Sequence, residues 1–112
     1  MSASPVVAVF GSSTFRADDR PYRLAHDLGR ELARQGATVM TGGYGGVMEA
    51  AARGAKKAGG QTIGILSGKD ASDMNPWIDI PIVTGMRDAR NIIIARTADG
   101  VIAVGGRYGT LS

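Results

Sequence analysis

Apolar residues occur in this chain in two alternating patterns, unbroken runs of four to six positions and stripes that recur every three or four. Residues 5–10, Pro-Val-Val-Ala-Val-Phe, form an unbroken run closing at Gly11, as a strand buried on both faces should. A polar segment follows to Arg20, and Pro21 suits the first turn of a helix. In that helix Leu24, Leu28 and Leu32 recur every four residues beside Ala25, and Gln35-Gly36 supplies a stop. The stripe predicts that the leucines face the core and that His26 is a solvated helix residue. A second strand is predicted over 37–41, a helix with a face of small residues over about 47–58 ending at Gly59-Gly60, and a third strand over 61–66. A polar loop then reaches Trp77. Residues 78–83 include Pro81 and predict a short or irregular fourth strand, 86–98 a helix, and 100–104 a fifth strand.

Strand and helix alternate throughout, which predicts right-handed crossovers and a parallel sheet with helices on both faces. The expected architecture is a Rossmann-like, doubly wound α/β domain over residues 1–112 with strand order 3-2-1-4-5. Every predicted strand exits into glycine, at Gly11, Gly42-Gly43, Gly68, Gly85 and Gly105-Gly106. In a parallel sheet these exits share the carboxyl edge, where open α/β sheets bind ligands. The predicted crevice lies between strands one and four. Its walls are the Gly11, Ser12, Ser13 and Thr14 loop and the Thr84-Gly85 helix start.

The longest glycine turn is Thr41-Gly42-Gly43-Tyr44-Gly45-Gly46-Val47-Met48-Glu49. Four glycines in five positions let backbone N–H groups approach a ligand closely, and a turn that opens a helix favours an anion such as phosphate. The spacing is neither the dinucleotide fingerprint nor a P-loop. Taken alone, the turn serves equally as a tight strand-to-helix connection. Arg90, one turn inside the last predicted helix, leans back toward the crevice mouth and can grip phosphate in a bidentate manner. From spacing alone it is no different from Arg53 or Arg96, which read as solvated. Asp88 and Glu49 read as first-turn helix stabilisers.

Composition narrows the function classes. No cysteine is present and the single histidine has no clustered carboxylates, which excludes thiolate chemistry and argues against a metal site. No metal and no resident cofactor are expected. A reducing cytoplasm fits, and no signal-peptide pattern or membrane-length apolar run occurs. The net charge of +3 favours anionic ligands, but the 13 Lys and Arg are scattered among few aromatics. Nucleic acid is therefore not an expected partner.

Three motifs in order, Gly42-Gly43-Tyr44-Gly45-Gly46-Val47-Met48-Glu49, Pro81-Ile82-Val83-Thr84-Gly85-Met86 with Ala89-Arg90-Asn91, and Gly105-Gly106-Arg107-Tyr108-Gly109-Thr110, resemble the LONELY GUY (LOG) superfamily. Within it the chain is most similar to the predicted nucleotide-binding branch that includes molybdenum cofactor carrier proteins. The resemblance implies a homodimer that binds a nucleoside 5'-monophosphate-like ligand by its phosphate. It also implies phosphoribohydrolase activity for a complete family member, releasing base and ribose 5-phosphate. Arg90 matches the arginine of the family's M-x-x-R segment and is the implied catalytic residue. Gly106, Tyr108, Gly109 and Thr110 match its P-G-G-x-G-T-x-x-E motif, with Gly105 in place of the proline. Met86, Asn91 and these four join Gly42, Gly43, Gly45 and Gly46 as implied ligand contacts. The motif's glutamate would follow Ser112, so the resemblance implies a C-terminally shortened family domain. The alternative that it implies is a non-catalytic carrier of molybdenum cofactor or a related phosphorylated molecule.

Overall fold

The computed structural model describes residues 4–105. Strands β1 (Val6–Phe10), β2 (Thr38–Thr41), β3 (Thr62–Leu66), β4 (Ile80–Val83) and β5 (Gly100–Ala103) are interspersed with helices α1 (Arg20–Arg34), α2 (Val47–Lys57) and α3 (Arg90–Thr97). A turn of 3-10 helix, Arg87–Ala89, leads into α3. All four strand pairings are parallel. The five strands and three helices expected from the apolar pattern are all present.

Their order differs from the expected 3-2-1-4-5. The sheet runs β4-β3-β2-β1-β5, so the fourth strand lies beside the third at an outer edge and the fifth takes the free side of the first. The reason is local. No helix forms between β3 and β4, and the loop folds directly back along β3. Thr62 N–H donates to the Asp79 carboxylate at 3.0 Å, and Asp79 N–H donates to the Thr62 hydroxyl at 2.9 Å. At the far end Thr84 N–H donates to the Leu66 carbonyl at 3.1 Å. The same device seats β5. Asp99 N–H donates to the Val6 carbonyl at 2.8 Å, and its carboxylate accepts the Val6 N–H at 2.8 Å. Each aspartate precedes its strand and fixes the first rung against a neighbour. The connection from β4 to β5 must then cross the whole sheet, and α3 does so.

Successive side chains on a strand point to opposite faces, so the unbroken apolar runs feed two layers. Val9 and Val39 join Tyr22 and Ala25 of α1 and Val47, Ala50, Ala51 and Ala55 of α2. Ala8, Met40 and Ile65 meet Ile94 of α3 on the other face. Complete burial of such an aliphatic side chain contributes about 1.5–3 kcal/mol.

The fully buried stripe of α1 is Tyr22, Ala25 and Gly29; of the predicted leucines, Leu28 and Leu32 are half-buried and pack against the same core, and Leu24 is 56% exposed. Helix contact explains the change. A Cβ at Gly29 would lie 2.0 Å from the Ala51 carbonyl oxygen, and one at Gly54 would lie 1.9 Å from that of His26. The two helices touch backbone to backbone, which only the smallest side chains permit, and the leucines are displaced to the margin. His26 is half-buried as a result, in place of the solvated position expected for it.

Candidate functional site

The glycine turn connects β2 to α2 at the carboxyl edge of the sheet, and its glycines are needed first for internal packing. Gly46 has φ 62°, and a Cβ there would lie 2.2 Å from the Ser12 carbonyl oxygen. That carbonyl also accepts the first N–H of α2, from Val47, at 3.0 Å. Gly43 has φ 85°, and its N–H donates to the Thr41 hydroxyl at 3.0 Å. At Gly42 a Cβ would meet the Arg90 guanidinium at 2.5–2.8 Å. The turn is thus closed on one side by the β1 exit loop and on the other by an arginine.

Arg90 opens α3 and reaches back under the ends of β2 and β3. Its Nη1 donates to the Gly42 carbonyl at 2.9 Å and to the Ile65 carbonyl at 2.6 Å. The guanidinium lies 5.8 Å from the centroid of the Tyr44 ring, within cation–π range. Its buried Nε has no hydrogen-bond partner among the described residues. Burial lowers the Arg90 pKa, with Tyr44 and Asp88 opposing, and the group stays cationic.

On the outer side of the ring, the Tyr44 hydroxyl oxygen accepts N–H bonds from Ser67 at 3.1 Å and Gly68 at 3.0 Å. Burial works to raise the Tyr44 pKa. The Ser67 hydroxyl, these two amides and the Arg90 charge outweigh it and lower the phenol below its usual value. Asn75, 5% exposed, locks the loop to the turn: its side-chain amide donates to the Tyr44 carbonyl at 2.7 Å and its N–H to the Gly43 carbonyl at 2.9 Å. A cleft of about 410 Å³ opens here, lined by Tyr44, Ser67, Gly68, Lys69, Asp70, Ser72, Asp73, Gly85 and Arg87. Asp70 is turned to Ser72, accepting its N–H at 3.0 Å and its hydroxyl at 2.7 Å. Arg87 has φ 56°, the single positive value outside glycine among the described residues. Its N–H donates to the Ser67 carbonyl at 3.0 Å, which holds that strained backbone against the cleft.

The fold brings Gly11, Ser12 and Ser13 against Gly45, Gly46 and Val47, and brings Arg90 against Gly42. It does not bring Thr84-Gly85 to the β1 exit loop, because β2 and β3 intervene. The predicted crevice between strands one and four therefore does not exist. Gly85 instead lines the cleft at the β3–β4 end. Thr84 donates its hydroxyl to the Leu66 carbonyl at 2.7 Å, and Met86 and Asn91 are exposed. Gly106, Tyr108, Gly109 and Thr110 lie outside the described residues. Sequence reasoning did not select Tyr44, Lys69 or Arg87 as site residues. Tyr44 stood inside the glycine motif and Lys69 in a loop noted only as polar, while nothing in the residue order announces the positive φ of Arg87. Arg53, expected to be solvated, instead lies 5.6 Å from the Trp77 ring centroid with a buried Nε. Glu49 stands in the first turn of α2 as expected and also accepts the Tyr22 hydroxyl at 2.8 Å. Among the described residues no three His, Cys, Asp or Glu side chains group to hold a metal ion, and no helix is long and apolar enough to cross a membrane.

Comparison with known proteins matches residues 4–112 to the model of the SLOG cluster4 family. An uncharacterized protein of Archaeoglobus fulgidus is 44% identical over 107 residues, covering 95% of this chain and 68% of its own. Among solved structures, the molybdenum cofactor binding protein from the phototrophic bacterium Rippkaea orientalis superposes with a TM-score of 0.90 at 42% identity, over 99% of this chain and 68% of that one. The molybdenum cofactor carrier protein of Chlamydomonas reinhardtii gives 0.82 at 40% identity, over 96% and 66%. This chain spans about two thirds of the length of each of these relatives.

Proposed function

The chain belongs to the SLOG cluster4 family, and we propose that it holds a phosphorylated small molecule in the carboxyl-edge cleft and carries it without turnover. The proposed cargo is molybdenum cofactor or a related phosphorylated compound. The observation that carries this reading is the cleft itself. Lys69 and Arg87 line it together with Tyr44, whose hydroxyl is already held by two main-chain amides, in about 410 Å³ at the ends of parallel strands. That volume is in the range of small-molecule sites, and the carboxyl edge is where open α/β sheets place them. Two cations and a phenolic O–H suit a phosphate, and the aromatic ring offers a flat pterin or purine a surface to lie against. The two structural relatives named above carry or bind molybdenum cofactor by their descriptions, which supports the same cargo here.

A nucleoside 5'-monophosphate would satisfy the same groups, but its hydrolysis fits less well. Arg90, the implied catalytic residue, has Nη1 engaged on two carbonyls and its guanidinium behind the Tyr44 ring. A carboxylate is also needed opposite the ribosyl centre. Of the two aspartates lining the cleft, Asp70 is occupied by Ser72. Carriage without bond cleavage asks for neither.

The test is to incubate the chain with molybdenum cofactor, pass it over a sizing column, and assay molybdenum and pterin in the protein peak. A parallel sample with AMP is assayed for free adenine. Retained cofactor and no adenine are expected, with retention weakened about tenfold in Lys69→Ala and in Arg87→Ala. Release of adenine would replace carriage with hydrolysis. Retention in both variants equal to that of the native chain would remove the ligand from this cleft.

A further inference from the structure

A second cavity lies away from the carboxyl edge and shares no lining residue with the cleft. It is a groove of about 360 Å³ between α1 and α2, lined chiefly by Tyr22, Arg23, His26, Asp27, Arg53 and Lys57. The backbone-to-backbone contact at Gly29 and Gly54 draws the helices together, so side chains of both helices enclose one space. Positions 53 and 57 are four apart and 23 and 26 three apart, which puts each pair on one helix face.

Three permanent cations and a histidine therefore surround the groove against one carboxylate. That carboxylate is already shared, because Asp27 lies 3.6 Å from Arg30 and 3.8 Å from His26. Glu49 accepts the Tyr22 hydroxyl. Burial, then the Arg53 charge, lower the His26 pKa; Asp27 opposes this, and Lys57 and Arg30 add to it. Two of the cations are also held in place. Arg23 donates to the Asp18 carbonyl, and Arg53 is stacked on Trp77 with its buried Nε unpartnered among the described residues. Three cations lining one groove, two of them fixed, are arranged for an anion.

We propose that the α1–α2 groove is a second binding site, for a small phosphate-type oxyanion gripped by Arg53, Lys57 and Arg23 beside His26. The anion offsets the repulsion among these groups, which tightens the helix pair from its outer side.

The chain has one histidine, and it lines this groove, so its ring resonances report on this site alone. The folded chain is titrated with inorganic phosphate, and separately with glycerol phosphate, against sodium chloride at matched ionic strength. A saturable shift of the His26 ring signals with a rise in its pKa is expected. The response should be about tenfold weaker in Lys57→Ala, an exposed position whose loss leaves the core intact, and in Arg53→Gln. Arg87→Ala, in the other cleft, should leave it unchanged. A larger response to glycerol phosphate assigns an esterified ligand, and a larger response to phosphate assigns the free ion. Signals that do not move, that move equally with chloride, or that move equally in Lys57→Ala overturn the proposal.

Discussion

Arg90 and Arg53 sit in two regions of this molecule and are held by the same device. Each guanidinium stands over an aromatic ring, at 5.8 Å from Tyr44 and 5.6 Å from Trp77, and each has a buried Nε without a partner among the described residues. They differ in what the protein asks of the remaining donors. Arg90 closes on the carbonyls at the ends of β2 and β3, so it fastens the glycine turn and orients Tyr44 toward the cleft. Arg53 makes no such main-chain bond among the described residues and lines a groove with two further cations. A guanidinium tied to the main chain shapes a site, whereas one stacked on a ring and free of the main chain leaves its charge to the groove it lines.

Glycine substitutions break this comparison most sharply, because close approach serves a different end in each region. At Gly54 the obstacle to a Cβ is backbone, the His26 carbonyl oxygen at 1.9 Å, and no rotamer relieves it. Alanine gains about 1 kcal/mol of helix propensity there. Forcing the helices apart costs about 3 kcal/mol, so Gly54→Ala should lower the urea midpoint markedly. At Gly42 the obstacle is the far end of the Arg90 side chain at 2.5–2.8 Å, which can swing away. Gly42→Ala should stay folded at a cost of about 1 kcal/mol, with the Arg90 bonds to Gly42 and Ile65 lost and cofactor retention reduced. Equal destabilisation by the two changes would mean that Arg90 is as immovable as backbone.

How much of this was open to a reader of the sequence follows the range of the interactions. The runs at 5–10 and 37–41 declared buried strands because each residue's neighbours decide that. The order of strands was not legible. It turns on Asp79 meeting Thr62 and Asp99 meeting Val6, which are 17 and 93 residues apart. The leucine stripe of α1 was half right: Leu28 and Leu32 pack at the margin of the core, while the contact that buries the helix is made by Gly29 and Ala25, residues with little or no side chain to signal it. The glycine turn and Arg90 were recognised as one neighbourhood, yet the partner that fixes Arg53 is Trp77, 24 positions on in a loop without periodicity.

The next expected effect is on binding. Arg90→Ala removes a charge-assisted clasp from both strand ends, an interaction worth about 1.5–3 kcal/mol, and leaves the Tyr44 ring without its backing. Cofactor retention in the carboxyl-edge cleft should fall by roughly tenfold or more, by the same free-energy scale. The matched change Arg53→Ala should leave that retention intact. Column retention assays on the two variants decide the matter, since equal losses would mean that the regions are coupled and the comparison between them is false.

The smallest effect concerns the loop that joins the two regions, whose lower end is fastened to α2 by Asp79. Its carboxylate lies 2.8 Å from the Lys56 ammonium and accepts the Thr62 N–H at 3.0 Å. Burial works to raise the Asp79 pKa, and the Lys56 and Thr62 bonds outweigh it, so the folded value is lowered. A carboxylate depressed in the folded state adds stability that is complete above its unfolded pKa, about 3.9, and is lost as pH falls through the folded value. Both partners are about one third exposed, so solvent screening holds the ion pair itself below about 1 kcal/mol. Asp70 is also lowered, by the Ser72 hydrogen bonds, and would blur a simple acid titration. The gap in urea midpoint between the native chain and Asp79→Asn cancels that contribution, because Asp70 is present in both. That gap should be widest near neutral pH and close in acid. Because Trp77 lies two residues away and its carbonyl accepts the Thr62 hydroxyl at 2.6 Å, loosening this end should disturb Trp77 fluorescence on the Arg53 side before it reaches Tyr44. A gap that stays constant with pH would show that Asp79 acts through its main-chain bond alone.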